Sequence, residues 1–77
     1  MNRKAQILEI IREVAHKDVN PGADESLFES GILDSFALPD MVSAIEREFK
    51  IEVPDADLNP RKFDSVARIE AYLDNRA

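Results

Sequence analysis

Leu38, Met41, Val42, Ile45 and Phe49 recur at i, i+3, i+4, i+7 and i+11, with Asp40, Glu46, Arg47 and Lys50 off the stripe. That spacing dictates an amphipathic helix from about Phe36 to Lys50, because only a 3.6-residue period keeps those five side chains on one face. Ile7, Leu8, Ile10, Ile11, Val14 and Ala15 repeat the pattern from about Asn2 to Ala15. Phe63, Val66, Ile69, Ala71, Tyr72 and Leu73 mark a last helix from about Ser65 to Asn75, with Asp64 or Ser65 able to cap it. Ile51-Glu52-Val53-Pro54 alternates like a strand, but proline closes it and no other segment offers a pairing partner. Asp55 to Leu58 can make one short turn before Pro60. The expected fold is therefore all-α, a small four-helix bundle of three longer helices and one short one.

From His16 to Asp34 the periodicity lapses, with turn chemistry at Asn20-Pro21-Gly22 and a break at Gly31. This long connection still carries Leu27, Phe28, Ile32 and Leu33, so it is expected to pack, with Ser26-Leu27-Phe28-Glu29 as its turn. The 77 residues are read as one domain spanning 1–77, and the lack of cysteine leaves stability to a modest apolar core. No apolar run approaches the ~18 residues of a membrane span, and the first residues enter an amphipathic helix directly, so a cytoplasmic monomer is expected. A net charge of −6 argues against nucleic acid and anionic membranes and favours basic protein partners, although acidity also serves plain solubility.

Catalytic chemistry is sparse. The one His, His16, stands at the end of the first helix, where C-capping is the simpler role, and without cysteine few nucleophile and base pairs remain. Asp18, Asn20, Gly22, Ser26 and Glu29 mimic the ligand spacing of a calcium loop, but the position that needs glycine for its sharp turn is Ala23, with Pro21 close by. What remains is Leu33-Asp34-Ser35-Phe36, at the junction between the long connection and a well-formed helix. Serine at such a junction is ordinarily a cap, yet capping from Asp34 or Ser35 puts Ala37 or Leu38 at N3, where no capping box can form. A hydroxyl held there suits a phosphodiester, because first-turn amides and the positive end of the helix dipole stabilise an anion.

Gly31-Ile32-Leu33-Asp34-Ser35-Phe36, the helix closing on Ala44-Ile45-Glu46-Arg47-Glu48-Phe49, and Ile51-Glu52-Val53-Pro54-Asp55 resemble the acyl carrier proteins, including their D-alanyl and peptidyl carrier relatives. The likeness covers nearly the whole chain. It implies that the Ser35 hydroxyl accepts 4'-phosphopantetheine from coenzyme A through a phosphopantetheinyl transferase, and that Ser65, in the similar triplet Asp64-Ser65-Val66, is a decoy. The protein would then be no enzyme. The arm's thiol would hold acyl or aminoacyl groups as thioesters for partner enzymes of fatty-acid, lipid or secondary-metabolite biosynthesis. Acyl-loading and acyl-transferring enzymes with basic patches are the implied partners.

By the same resemblance Asp34 would help position the transferase or its metal, with helix capping as the competing role. Phe36, Asp40, Met41, Ala44 and Arg47 correspond to the partner-facing surface, Met41 having plain core as its alternative. Phe28, Val42, Ile45, Val53 and Ile69 would line an acyl cavity, or simply form the core. Arg47 interrupts an acidic face, Ala37 replaces a residue often polar, Phe36 stands where fatty-acid carriers have leucine, and Pro39 removes a donor to the Ser35 carbonyl. These departures favour a specialised or aminoacyl carrier. The competing reading is an unmodified acidic helical interaction module, and a hydrolytic enzyme stands well behind both.

Overall fold

A computed structural model describes residues 2–76 of the chain. Three α-helices run Arg3–Ala15 (α1), Leu38–Phe49 (α2) and Val66–Arg76 (α3), with shorter 3-10 turns at Ser35–Ala37, Asp55–Asp57 and Pro60–Phe63. No strand occurs among the described residues, and 51–54 is an extended link. The architecture is the expected small all-α bundle. Its short fourth piece is the 3-10 turn at Asp55–Asp57, and the turn at Pro60–Phe63 is one that periodicity could not announce.

Asn2 starts α1 by accepting the Ala5 N–H at 2.7 Å on its side chain. The helix ends where His16 turns into the left-handed region, φ 57°, and gives its N–H to the Arg12 carbonyl. Lys50 ends α2 in the same way at φ 55°, donating to Glu46 O. Neither C-cap is glycine, so each carries a left-handed strain of about 1 kcal/mol that the surrounding contacts must offset. The Glu46 side chain then reaches past the cap to accept the Val53 N–H at 2.8 Å, which folds the link back on the helix.

The helices bury Ile7, Ile10 and Ile11 from α1, Leu38, Met41, Val42, Ala44 and Ile45 from α2, and Val66, Ile69 and Leu73 from α3. Each large aliphatic among them contributes roughly 1.5–3 kcal/mol of transfer free energy. Phe63, fully buried, closes one end of this core and lies against Tyr72, ring centroids 5.0 Å apart. The Tyr72 hydroxyl donates to Asp57, which also pairs with Lys62, so both later 3-10 turns are anchored to α3. Arg3 pairs with Asp74, joining the start of α1 to the end of α3.

The long connection packs, as its apolar residues require. Leu27 and Leu33 are buried, and the Leu27 N–H donates to Asp64 O at 2.6 Å. The Ser26 hydroxyl donates to Asp64 Oδ1 at 2.7 Å, and the Ala67 N–H reaches Ala23 O at 2.9 Å. The predicted turn closes with Ser30 N–H on Ser26 O, and Gly31 follows at φ 84°, a conformation that favours glycine. That reversal delivers Leu33 to the core and Asp34 to the head of α2.

Candidate functional site

Asp34, extended, opens the 3-10 turn at Ser35–Ala37 and accepts the Ala37 N–H on its side chain at 3.0 Å and on its carbonyl at 3.0 Å. Its capping role is thus real. One carboxylate oxygen serves it, and the other makes no hydrogen bond within the described protein. Asp34 is exposed and Phe36 is 88% exposed, a large apolar side chain held in water beside residue 35. Such a residue stands out against a core that is otherwise closed.

Pro39 explains why the turn is not part of α2. Leu38 is the first α-helical residue and Pro39 the second, so the missing proline N–H falls where a donor is least needed. The carbonyl that an alanine at 39 would engage belongs to Ser35, and the chain takes the tighter 3-10 path there instead. The helix expected from about Phe36 accordingly begins at Leu38. Amide exchange at Phe36 to Leu38 is expected to slow several-fold in Pro39→Ala, and equal protection in both proteins would show that proline does not loosen this turn.

Ser65 has a different environment. It is 5% exposed and its Oγ accepts the Arg68 N–H at 3.2 Å, capping α3. Asp64 beside it is engaged by Ser26 and Leu27, as described above.

Two adjoining clefts lie near the head of α2, the first of them beside the turn. One, of about 430 Å³, lies among Ile32, Asp34, Phe36, Asp40, His16 and Lys17. The other, of about 630 Å³, continues between Glu13 and Val14 of α1 and Asp40, Ser43, Ala44 and Arg47 of α2. Val14, His16 and Asp40 belong to both. The C-terminal end of α1 as a wall of this groove was not visible in the sequence, because adjacency of α1 to α2 is a tertiary fact. His16 is nonetheless the αL C-cap that its position suggested.

Of the expected partner-facing residues, Phe36, Asp40 and Arg47 are exposed. Met41 is corrected: it is fully buried and belongs to the core, since its place on the Leu38 and Ile45 stripe turns it inward. Ala44 is also buried, 6% exposed, and reaches solvent only as part of the groove floor. Val42, Ile45, Val53 and Ile69 are core, and Phe28 packs half-buried against them. None of these five lines the clefts just described. Among the described residues, no group of three or more His, Asp or Glu side chains could hold a metal ion.

Residues 5–73 match the family described as phosphopantetheine attachment site. The chain is 28% identical over 75 residues to the D-alanyl carrier protein of Lactobacillus acidophilus, covering 97% of this chain and 95% of the relative. It is 30% identical to that of Leuconostoc mesenteroides over 77 residues, 95% and 99% of the two chains. With that of Streptococcus sanguinis the identity is 33% over 69 residues, 90% and 87%. Members of this family bear 4'-phosphopantetheine and are acted on by a phosphopantetheinyl transferase and by partner enzymes. The region around residue 35 fits such a group. The turn lies between exposed neighbours, it precedes a helix N-terminus whose dipole favours a phosphate, and Lys17 and His16 offer nitrogen donors at the adjoining cleft. With the helical bundle and a match across nearly its whole length agreeing, the chain belongs to the phosphopantetheine attachment family and is a non-catalytic carrier.

Proposed function

We propose that residues 1–77 act as one carrier domain in the cytoplasm, that Ser35 is the attachment residue, and that the cargo is a small aminoacyl group, D-alanyl in the first instance. The turn around residue 35 carries this reading, because a transferase must reach a serine without unfolding its surroundings: its neighbours Asp34 and Phe36 are exposed, whereas Ser65 is buried and engaged. When attached, 4'-phosphopantetheine supplies a thiol on a long flexible arm, able to hold an acyl group as a thioester. The chain's own contribution is presentation. Asp34 braces the turn through Ala37 and keeps one oxygen available to the transferase. Phe36 offers an apolar handle to partner enzymes, and Asp40 and Arg47 add charge along the same helix face.

The cargo rests on the names of the three relatives given above, each a D-alanyl carrier protein, and on the closed packing of the residues that would otherwise shelter a fatty chain. Val42 is 4% exposed and Ile45 and Ile69 not at all, so a long acyl chain could enter only by prising the helices apart. Apo-protein converted with coenzyme A and a phosphopantetheinyl transferase, then given ATP, D-alanine and a D-alanine-activating enzyme, is expected to gain one alanyl group, released by hydroxylamine. Loading with fatty acyl groups but not with D-alanine would overturn the cargo, and failure of the first conversion would overturn the carrier site.

A further inference from the structure

The second triplet, Asp64-Ser65-Val66, is a motif that attachment at residue 35 leaves without a role. It stands at the head of α3, and three hydrogen bonds run between that end and the long connection. The Ala67 N–H, one of the first-turn donors that a helix leaves without an internal partner, donates to Ala23 O at 2.9 Å. The Leu27 N–H donates to Asp64 O at 2.6 Å, and the Ser26 hydroxyl donates to Asp64 Oδ1 at 2.7 Å, a pair 38 residues apart in the chain. The same Ser26 Oγ accepts the Glu29 N–H at 3.1 Å. Both directions follow from the groups, since a carboxylate only accepts and an amide N–H only donates. A serine that gives its hydrogen to Asp64 therefore turns its lone pairs to Glu29.

These bonds lead on to the attachment turn. Ser30 N–H donates to Ser26 O at 3.1 Å, Gly31 N–H to Phe28 O at 3.3 Å, and Leu33 N–H back to Leu27 O at 2.9 Å. The segment from Ser26 to Leu33 is thus a closed loop whose ends meet at Leu27, and Leu27 is tied to Asp64. Asp34, which opens the turn at Ser35–Ala37, is the next residue along. Two kinds of anchor set its place. The buried Leu27 and Leu33 side chains hold the loop by packing, which is non-directional, whereas the bonds to Asp64 fix its orientation.

We infer that Asp64 is a positioning residue for the modification at residue 35: its carboxylate fixes Ser26, and through Ser26 and Leu27 the loop that delivers the attachment turn. The inference rests on the reading of Ser35 as the attachment residue. With the tie lost, the two leucines stay buried but the loop can turn about them, and residue 35 spends only part of its time where a transferase can bind it. Apparent affinity falls by that fraction, while the complex, once formed, reacts at its ordinary rate. Ser65 then caps α3, and the aspartate beside it steers the other serine.

The test measures transfer of phosphopantetheine from coenzyme A to apo-protein by a phosphopantetheinyl transferase, with kcat and KM for the apo-protein taken separately. The proteins are wild type, Asp64→Ala, Asp64→Asn, Ser26→Ala and Ser65→Ala. Asparagine keeps an oxygen to accept from Ser26 and alanine does not, yet both remove the same charge, so their difference reads the hydrogen bond alone. Ser65→Ala loses the α3 cap and controls for general loosening. Asp64→Ala and Ser26→Ala are each expected to raise KM about fivefold with kcat little changed. Asp64→Asn should restore most of the loss, and Ser65→Ala should match wild type. Amide exchange gives a readout free of the transferase: in Asp64→Ala it should quicken more at Leu33 and Ala37 than along α1, whereas a general loss of stability quickens both alike. Wild-type KM in both Asp64→Ala and Ser26→Ala overturns the inference and leaves the attachment reading intact. A rise that Asp64→Asn shares in full overturns it too, because charge would then be the cause, as does a rise that Ser65→Ala shares. A mass gain that survives Ser35→Ala overturns the attachment reading, and this role of Asp64 with it.

Discussion

Ser35→Ala is expected to abolish the mass gain that the apo-protein shows with coenzyme A and a phosphopantetheinyl transferase, while Ser65→Ala keeps it. The two serines sit in like triplets, Asp34-Ser35-Phe36 and Asp64-Ser65-Val66, so composition does not separate them. Their surroundings do. Ser65 is 5% exposed, its Oγ caps α3 through the Arg68 N–H, and the aspartate before it is engaged by Ser26 and Leu27. A transferase could reach Ser65 only by peeling the long connection from α3. Residue 35 lies in a turn with exposed residues on both sides, outside the regular helix. Ser65→Ala should therefore act on stability, costing about 1 kcal/mol for the lost cap. Intact-protein mass spectrometry gives the first readout and urea unfolding the second. A gain that survives Ser35→Ala, or one lost in folded Ser65→Ala, would reassign the attachment residue.

The largest stability loss is expected from Phe63→Ala. Phe63 is fully buried between the Pro60–Phe63 turn and α3, and removing its ring leaves a cavity that the surrounding Ile and Leu side chains fill only in part. Large aromatic truncations of this kind cost about 3–5 kcal/mol, and an aromatic pair such as Phe63 with Tyr72 adds roughly 0.5–1.5 kcal/mol. Domains of this size are stable by about 4–12 kcal/mol in total, so the variant should lose a large share of its stability. Phe63→Leu keeps most of the volume and should cost under about 1.5 kcal/mol. Urea midpoints of the two variants measure the difference. A loss below about 1 kcal/mol in Phe63→Ala would mean that the 60–63 turn does not close the core as described.

Periodicity made the three helices readable because each must bury one face, and an amphipathic stripe admits only one period. It placed α2 slightly early, at about Phe36, since apolar spacing does not register a change from α to 3-10 geometry. Pro39 held that information, and the start at Leu38 is what its missing donor demands. The turn at Pro60–Phe63 escaped notice because three or four residues carry no period. Met41 was ambiguous by spacing, and its complete burial was decided by how α2 packs into the core.

The junction at Leu33-Asp34-Ser35-Phe36 is where this division is clearest. Sequence alone determined the helices, the absence of a strand partner, and a polar Asp-Ser pair between apolar residues at the head of an amphipathic helix. These are local properties, carried by neighbours within a turn or two. Tertiary structure decided that the other serine is sealed by Ser26 and Leu27 packing onto Asp64, and that the end of α1 walls a groove beside Phe36. It also decided that Arg47 lines that groove, with no ion pair among the described residues. Those outcomes depend on residues from two different elements, well separated along the chain, meeting in the fold, and no spacing along a single helix contains that distance.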